Sequence, residues 1–346
     1  MTDLLTAPRA SSPPAPEPRG PLTGFLLDHL ARPPHELPAA PGGDDDPLVG
    51  DDAQLALYLC YELHYRGLAR VDEGWEWSPS LLRFRAGLET AYLERLLDEV
   101  GRPDAGGDVE QELYRIVGSA SGPSLSRYLA ERGTLAQLKE FAVHRSAYQL
   151  KEADPHTWAL PRLSGAAKAA MVEIQVDEYG EGVEKDMHAS LFATTMRELG
   201  LDAAYGAYLD HLPGVTLSTT NLATMFGLHR RWRGALVGHL AIFEMTSVEP
   251  MGRYSLALRR HGFGPVARHF YEVHVVADAH HEVVAARHMA GGLARQAPEL
   301  VGDVLFGARA IMAVEERFAR QLLDAFAAGR SSLYRPVPGL DAGAGP

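Results

Sequence analysis

Beyond residue 50, apolar residues recur every three or four positions through most of the chain, and strict alternation with polar residues is scarce. That period marks helices with one face turned to a core. Acidic residues open and a glycine closes a predicted helix over residues 51–67. Ser78-Pro79-Ser80 opens another over 78–101, carried by Leu81, Leu82, Leu88, Tyr92, Leu96 and Val100. A third covers 134–152, and Asp154-Pro155 ends it. Further helices are predicted over 165–179, 183–199, 221–247, 250–261, 265–296 and 298–328. Gly214-Val215-Thr216-Leu217 is too short to count as a strand. The pattern predicts an all-α bundle of about eight to ten helices, in a single domain over 51–334.

Residues 1–50 read as a disordered N-terminal tail. Residues 7–22 are rich in Pro, Ala, Ser and Arg, and 33–50 carry prolines, Gly42-Gly43 and Asp44-Asp45-Asp46. Such composition buries too little apolar surface to offset the entropy of ordering. Within it, residues 23–30 predict one short docked helix with Thr23 as its N-cap. Residues 335–346 read as a loose C-terminal tail for the same compositional reason.

Composition narrows the function classes. The 346 residues are 46% hydrophobic and 23% charged, enough for a full core. A net charge of −12 argues against a nucleic-acid partner, which wants a basic face. The single cysteine, Cys60, excludes a disulfide within the chain and a cysteine-ligated zinc or iron–sulfur site. No apolar run is long enough to span a bilayer, and residues 1–18 hold no apolar signal core. A cytoplasmic protein with no membrane partner is the expectation.

The chemistry concentrates in His274-x3-Asp278-x2-His281, inside the helix predicted over 265–296. Spacings of i, i+4 and i+7 put all three side chains on one face. Two imidazoles and a carboxylate make a recurrent ligand set for non-haem iron. A polar face turned to solvent is the plainer reading. Phe270, Val273, Ala277, Val284 and Ala285 argue against it, because three ionisable groups in apolar surroundings need compensation. Glu244 is the only charged residue between Gly234 and Val248, so it is a second candidate; an N-cap, a buried ion pair or an exposed glutamate is the alternative. Glu178 shares a helix face with Ala170 and Ile174, and Asp177 points about 100° away. Gly180 and Gly182 allow a break before His188, which sits among Met187, Leu191 and Phe192; a core histidine bonded to backbone is its plainer role.

Glu178-x9-His188, Glu244 and His274-x3-Asp278-x2-His281, together with the text DEYGEG and HVVADAHHE, resemble the haem-oxygenase-like di-iron oxidases and oxygenases. The resemblance covers residues 130–330, the helical core. It implies a haem-oxygenase-like helical bundle without haem, a pair of Fe2+ ions held by these residues, O2 as co-substrate and an external electron donor. Family members divide by ligand number. Decarboxylating and lyase-type members, acting on fatty acids or chlorinated amino acids, are associated with fewer carboxylates, and N-oxygenase members carry an extra one. Glu152, 26 residues before Glu178, resembles that extra position. The implied set is Glu152, Glu178, His188, Glu244, His274, Asp278 and His281, whose four carboxylates would balance two ferrous ions. A solvated helix end is the plainer reading of Glu152. Glu140 and His144, at i and i+4, are a rival pair outside the family pattern.

The resemblance is strongest to N-oxygenases, implying N-oxygenation of a small amine or amino acid in secondary metabolism. Arg145, Arg231 and Arg233 are candidates to hold a substrate carboxylate through paired hydrogen bonds. The alternatives are oxidative C–C cleavage, decarboxylation or desaturation of an amino or fatty acid at the same iron pair, and a non-enzymatic helical binding protein. A homodimer is an open expectation that no particular residue carries.

Overall fold

The computed structural model describes residues 12–101 and 107–340, and among them there are helices, turns and loops but no strand. In chain order the α-helices are α1 (Pro21–Leu30), α2 (Asp51–Glu62), α3 (Pro79–Val100), α4 (Val109–Gly118) and α5 (Leu125–Glu131). The core follows with α6 (Leu135–Gln149), the single turn α7 (Asp154–Thr157), α8 (Gly165–Glu178), α9 (His188–Glu198) and α10 (Gly214–Leu228). The long helices α11 (Arg233–Arg260), α12 (Pro265–Val283), the short α13 (Gly291–Gln296) and α14 (Val301–Ala327) complete the bundle.

Helices α11 and α14 lie backbone to backbone, and glycine makes this possible. A Cβ at Gly238 would overlap the Val304 carbonyl, and one at Gly307 would overlap the Ala235 carbonyl. Around this pair, one apolar cluster gathers Phe141 of α6, Phe192 of α9, Phe270 of α12 and Phe318 of α14. A second gathers Met171 and Ile174 of α8, Phe226 of α10, Leu236 of α11 and Phe306 of α14. The helices bearing the candidate ligands therefore draw on both clusters.

Between α12 and α13 the helix does not stop. It widens into a π-helix over Val284–Ala290, where the Gly291 N–H reaches the Ala286 carbonyl five residues back. Such wide turns gather at functional sites, and this one begins three residues after His281.

The structure departs from the sequence reading in several places. The expectation of a disordered tail over 1–50 does not hold for residues 12–50. Leu22, Leu26 and Leu30, spaced one turn apart on α1, are buried, and Asp52 receives the Leu22 and Thr23 amides at 2.8 and 2.9 Å. One apolar stripe and one carboxylate anchor what composition alone marks as loose. Gly20, not Thr23, precedes that helix. The C-terminal tail is docked as far as residue 340: Leu340 is buried and the Arg335 carbonyl accepts from His211 at 2.8 Å. Residues 1–11 and 341–346 of the two expected tails lie outside the described residues.

Among the helices, residues 221–247 and 250–261 were expected as two, with Pro250 at the start of the second. In the structure α11 runs through Pro250. Proline removes one N–H, the partner of the Thr246 carbonyl, and Thr246 borders an open chamber where that carbonyl is not entombed. The chain breaks earlier instead, at His229–Trp232, and Gly214–Leu217 is the first turn of α10 rather than a strand fragment. Helices α4 and α5 were not anticipated.

Candidate metal centre

Five chain segments converge on the centre. Glu152 sits in the turn that ends α6, where Ala153 adopts a left-handed φ of 75° that swings the chain into α7. Glu178 is the last residue of α8 and His188 the first of α9. The loop between them folds back on itself, and a Cβ at Gly180 would overlap the backbone of Asp186 and Met187. That close return brings His188 Nδ1 to 2.9 Å from Glu178 Oε2. Glu244 comes from the middle of α11, and His274, Asp278 and His281 from one face of α12.

The structure brings all seven residues of the sequence-derived set together. One donor atom each from Glu152, Glu178, His188 and His274 lie within 4.8 Å of one another, and so do those of Glu178, Glu244 and His281. Glu178 belongs to both groups. Asp278 Oδ1 stands 3.7 Å from His281 Nδ1, and Glu244 Oε2 stands 3.3 Å from the same nitrogen. His274 Nε2 faces Glu152 Oε1 at 3.8 Å. His188, His274, Asp278 and His281 are at most 3% exposed. The carboxylates and His274 line a cavity of about 30 Å³ closed by Tyr148, Phe243 and Met251.

The outer atoms of these side chains are tied down. His274 Nδ1 donates to the Phe270 carbonyl at 2.7 Å, which leaves Nε2 as the free lone pair. His281 Nε2 donates to Asp177 Oδ2 at 2.8 Å, which leaves Nδ1 facing the carboxylates. Ser247 Oγ donates to Asp278 Oδ2. Fixing the far nitrogen of a ligating histidine in this way sets its tautomer and orientation.

The inner atoms face one another across the centre. Among the described residues, Glu152 Oε2, Glu178 Oε2, His188 Nδ1, His274 Nε2, Asp278 Oδ1 and His281 Nδ1 are buried without a hydrogen-bond partner. Orphaned buried polar atoms are costly one at a time, and six gathered in one centre call for positive charge among them. The charges agree. Burial pushes the Glu152 carboxyl well above the ordinary range, and Glu178, Asp278 and Glu244 push it further. Burial carries Glu244 up to about 8, against the opposing pull of the His281 ring beside it. Burial also raises Glu178, but His188, His274 and His281 outweigh it and bring that carboxyl down to about 2. His274 is lowered by burial and by His188. For His281, burial is outweighed by Asp278, Glu244 and Asp177, which carry it up to about 11. Carboxylates this crowded cannot all ionise side by side unless positive charge sits between them. Three imidazoles and four carboxylates form a donor set suited to iron.

The other candidates fall away from the centre. Glu140 Oε2 accepts from the Ser332 amide and hydroxyl at 2.9 and 2.7 Å, and His144 bonds Thr216 and Ser332 at 2.7 and 2.9 Å. This rival pair pins the C-terminal segment to α6. Arg233 opens α11, roughly 16 Å along the helix from Glu244 at 1.5 Å per residue, and Arg231 lies in the break before it. Arg145 is fully engaged in a bidentate pair with Glu315 at 2.9 and 2.7 Å.

Sequence reading missed Asp177 as the partner of His281, although its 100° offset from Glu178 is what turns it outward to that ring. It also missed Ser247, one turn beyond Glu244. It missed His156 as well, which lines the small cavity and bonds His239 at 3.0 Å, although Glu152 stands four residues before it.

Residues 139–316 match the family model described as iron-containing redox enzyme, a stretch that holds all seven candidate ligands. The chain belongs to that family, and it is an oxidoreductase with the haem-oxygenase-like all-α fold. It is also similar to the nitrosourea synthase of Streptomyces achromogenes subsp. streptozoticus, 27% identical over 193 residues. That match covers 55% of this chain and only 37% of the relative's length. Family membership sets aside the alternative of a non-enzymatic binding protein. Among the described residues, no helix is long and apolar enough to cross a membrane.

Proposed function

We propose that the chain is a non-haem di-iron, O2-dependent oxygenase that N-oxygenates an amine or amino-acid substrate. The carrying observation is the pair of donor groups that share Glu178, one completed by Glu152, His188 and His274, the other by Glu244 and His281 with Asp278 beside it. Glu178, common to both groups, would help to hold both ions. Bound iron supplies the reaction with O2 that no side chain here can perform.

The chain's own residues bind and orient. Phe270 and Asp177 hold the two α12 imidazoles with the correct nitrogen inward. Ser247 holds Asp278 by its outer oxygen. Tyr148, Phe243 and Met251 wall the 30 Å³ cavity with apolar surface. Glu152 supports the nitrogen chemistry in particular: it supplies the fourth carboxylate, and the similar protein is named as the synthase of a nitrosourea.

The test is mass spectrometry of anaerobically iron(II)-loaded enzyme given reductant, 18O2 and a panel of amines and amino acids. Labelled oxygen on nitrogen is the expected result. Loss of CO2 with alkene formation and no N-oxidised product would refute N-oxygenation and favour oxidative cleavage at the same site.

A further inference from the structure

Beside the small cavity lies a second one of about 800 Å³, between α6, α11 and α14. The two share Tyr148, Glu152, Phe243, Ser247 and Met251, so the larger chamber adjoins the candidate metal centre across these side chains. Its mouth is the exposed loop 119–124 together with Glu249 and Glu316. At about 30 Å³ per water it holds on the order of 25 water molecules. A free small amino acid would leave much of that volume wet.

The walls are apolar and their cations are engaged. Phe141, Ile242, Tyr254, Ile311 and Phe318 contribute. Arg145 gives both terminal nitrogens to Glu315 and lies over the Phe141 and Phe318 rings. Arg115 stays at the exposed rim on Glu112, and Arg309 Nε reaches the Val100 carbonyl at 3.3 Å. The chamber thus offers no uncompensated cation in its depth to a substrate carboxylate.

One polar group stands out. Gln149 is 5% exposed and lines the chamber, and its Oε1 has no hydrogen-bond partner among the described residues. It precedes Glu152 by three residues on the face of α6 that also bears Phe141, Arg145 and Tyr148. A buried amide carbonyl of this kind wants an N–H.

We propose that this chamber takes an amine carried on an extended apolar body, and that Gln149 orients its nitrogen toward the candidate metal centre. The choice of an amine rests on the N-oxygenation reading; the apolar body rests on the chamber. An alkylamine is an ammonium at pH 8, so it gives one proton to the buffer on entering the apolar chamber; Gln149 Oε1 then accepts one remaining N–H and the freed lone pair points toward the candidate metal centre. Gln149 is in this sense a positioning residue, holding the substrate and not the metal.

The test is isothermal titration calorimetry of anaerobic, iron(II)-loaded full-length protein at pH 8, with 4-phenylbutylamine and lysine as probes. Wild type should bind 4-phenylbutylamine at least tenfold more tightly than lysine. Gln149→Leu should weaken 4-phenylbutylamine about tenfold or more at unchanged iron stoichiometry, the size expected for stranding one buried hydrogen bond. Lysine binding as tightly as 4-phenylbutylamine, a comparison that needs no variant, would overturn the apolar assignment. Unchanged affinity in Gln149→Leu would overturn the role of Gln149. Binding is read without O2, so an amine that binds through Gln149 yet never acquires 18O on nitrogen would refute N-oxygenation while supporting the chamber.

Discussion

Replacing Asp177 with alanine should weaken one iron position and spare the other. Asp177 touches no candidate metal directly; it accepts the His281 Nε2–H at 2.8 Å and so keeps Nδ1 facing Glu244 and Asp278. Losing such an outer partner typically costs a metal site about 10–100-fold in affinity. The Asp177 side chain is 42% exposed, so water can replace part of the lost hydrogen bond. That places the effect near the lower end, about tenfold or ~1.4 kcal/mol. The other donor group, Glu152, His188 and His274, is oriented by different contacts and should keep its affinity. Anaerobic iron(II) titration followed by calorimetry should resolve one weakened step and one unchanged step. Equal weakening of both steps, or of neither, would refute the claim that His281 serves one position through a tautomer set by Asp177.

Other perturbations probe separate parts of the account. Glu152→Ala should weaken the position built with His188 and His274, the converse of Asp177→Ala, and the same titration reads it; identical affinities in mutant and wild type would show that Glu152 holds no iron. Gly238→Ala should lower the thermal midpoint, because its Cβ meets the Val304 carbonyl and forcing α11 from α14 costs about 1–3 kcal/mol; an unchanged midpoint would show that the helices separate freely. His144 is buried and held down to about 3 by burial, with Arg145 adding to it, so it stays neutral in the fold. The unfolded chain takes up that proton below about pH 6.5, so its share of stability is complete above that pH and is lost toward pH 3, by up to about 1.4 kcal/mol per pH unit. His144→Gln should flatten that acid limb in denaturant titrations run from pH 7 to 4, and an unaltered slope would contradict it.

Most of the helical order was legible because apolar spacing of three and four has few other meanings. The departures share a cause: tertiary contact overrides local composition. Leu22, Leu26 and Leu30 secure a proline-rich segment that composition assigns to solvent, and the open wall beside Thr246 lets α11 continue through Pro250. At the centre, His274, Asp278 and His281 were readable from helix geometry, and Glu244 from its isolation among apolar residues. Glu152 was not readable from its own surroundings and came from family resemblance, because a glutamate at a helix end looks solvated until the left-handed turn at Ala153 is known. Arg145 misled for the opposite reason: its partner Glu315 is 170 residues away in sequence. Gln149 carried no signal at all, since an unpaired amide is visible only once its neighbours are in place.

The most direct measurement is metal analysis combined with Mössbauer spectroscopy of protein saturated anaerobically with 57Fe(II) and freed of excess metal. The shared Glu178 between two donor groups predicts about two iron ions per chain in two distinct high-spin environments. His281→Ala should reduce this to about one, with the environment assigned to Glu152, His188 and His274 remaining. A wild-type chain that saturates at one iron, or holds none, would contradict the di-iron centre.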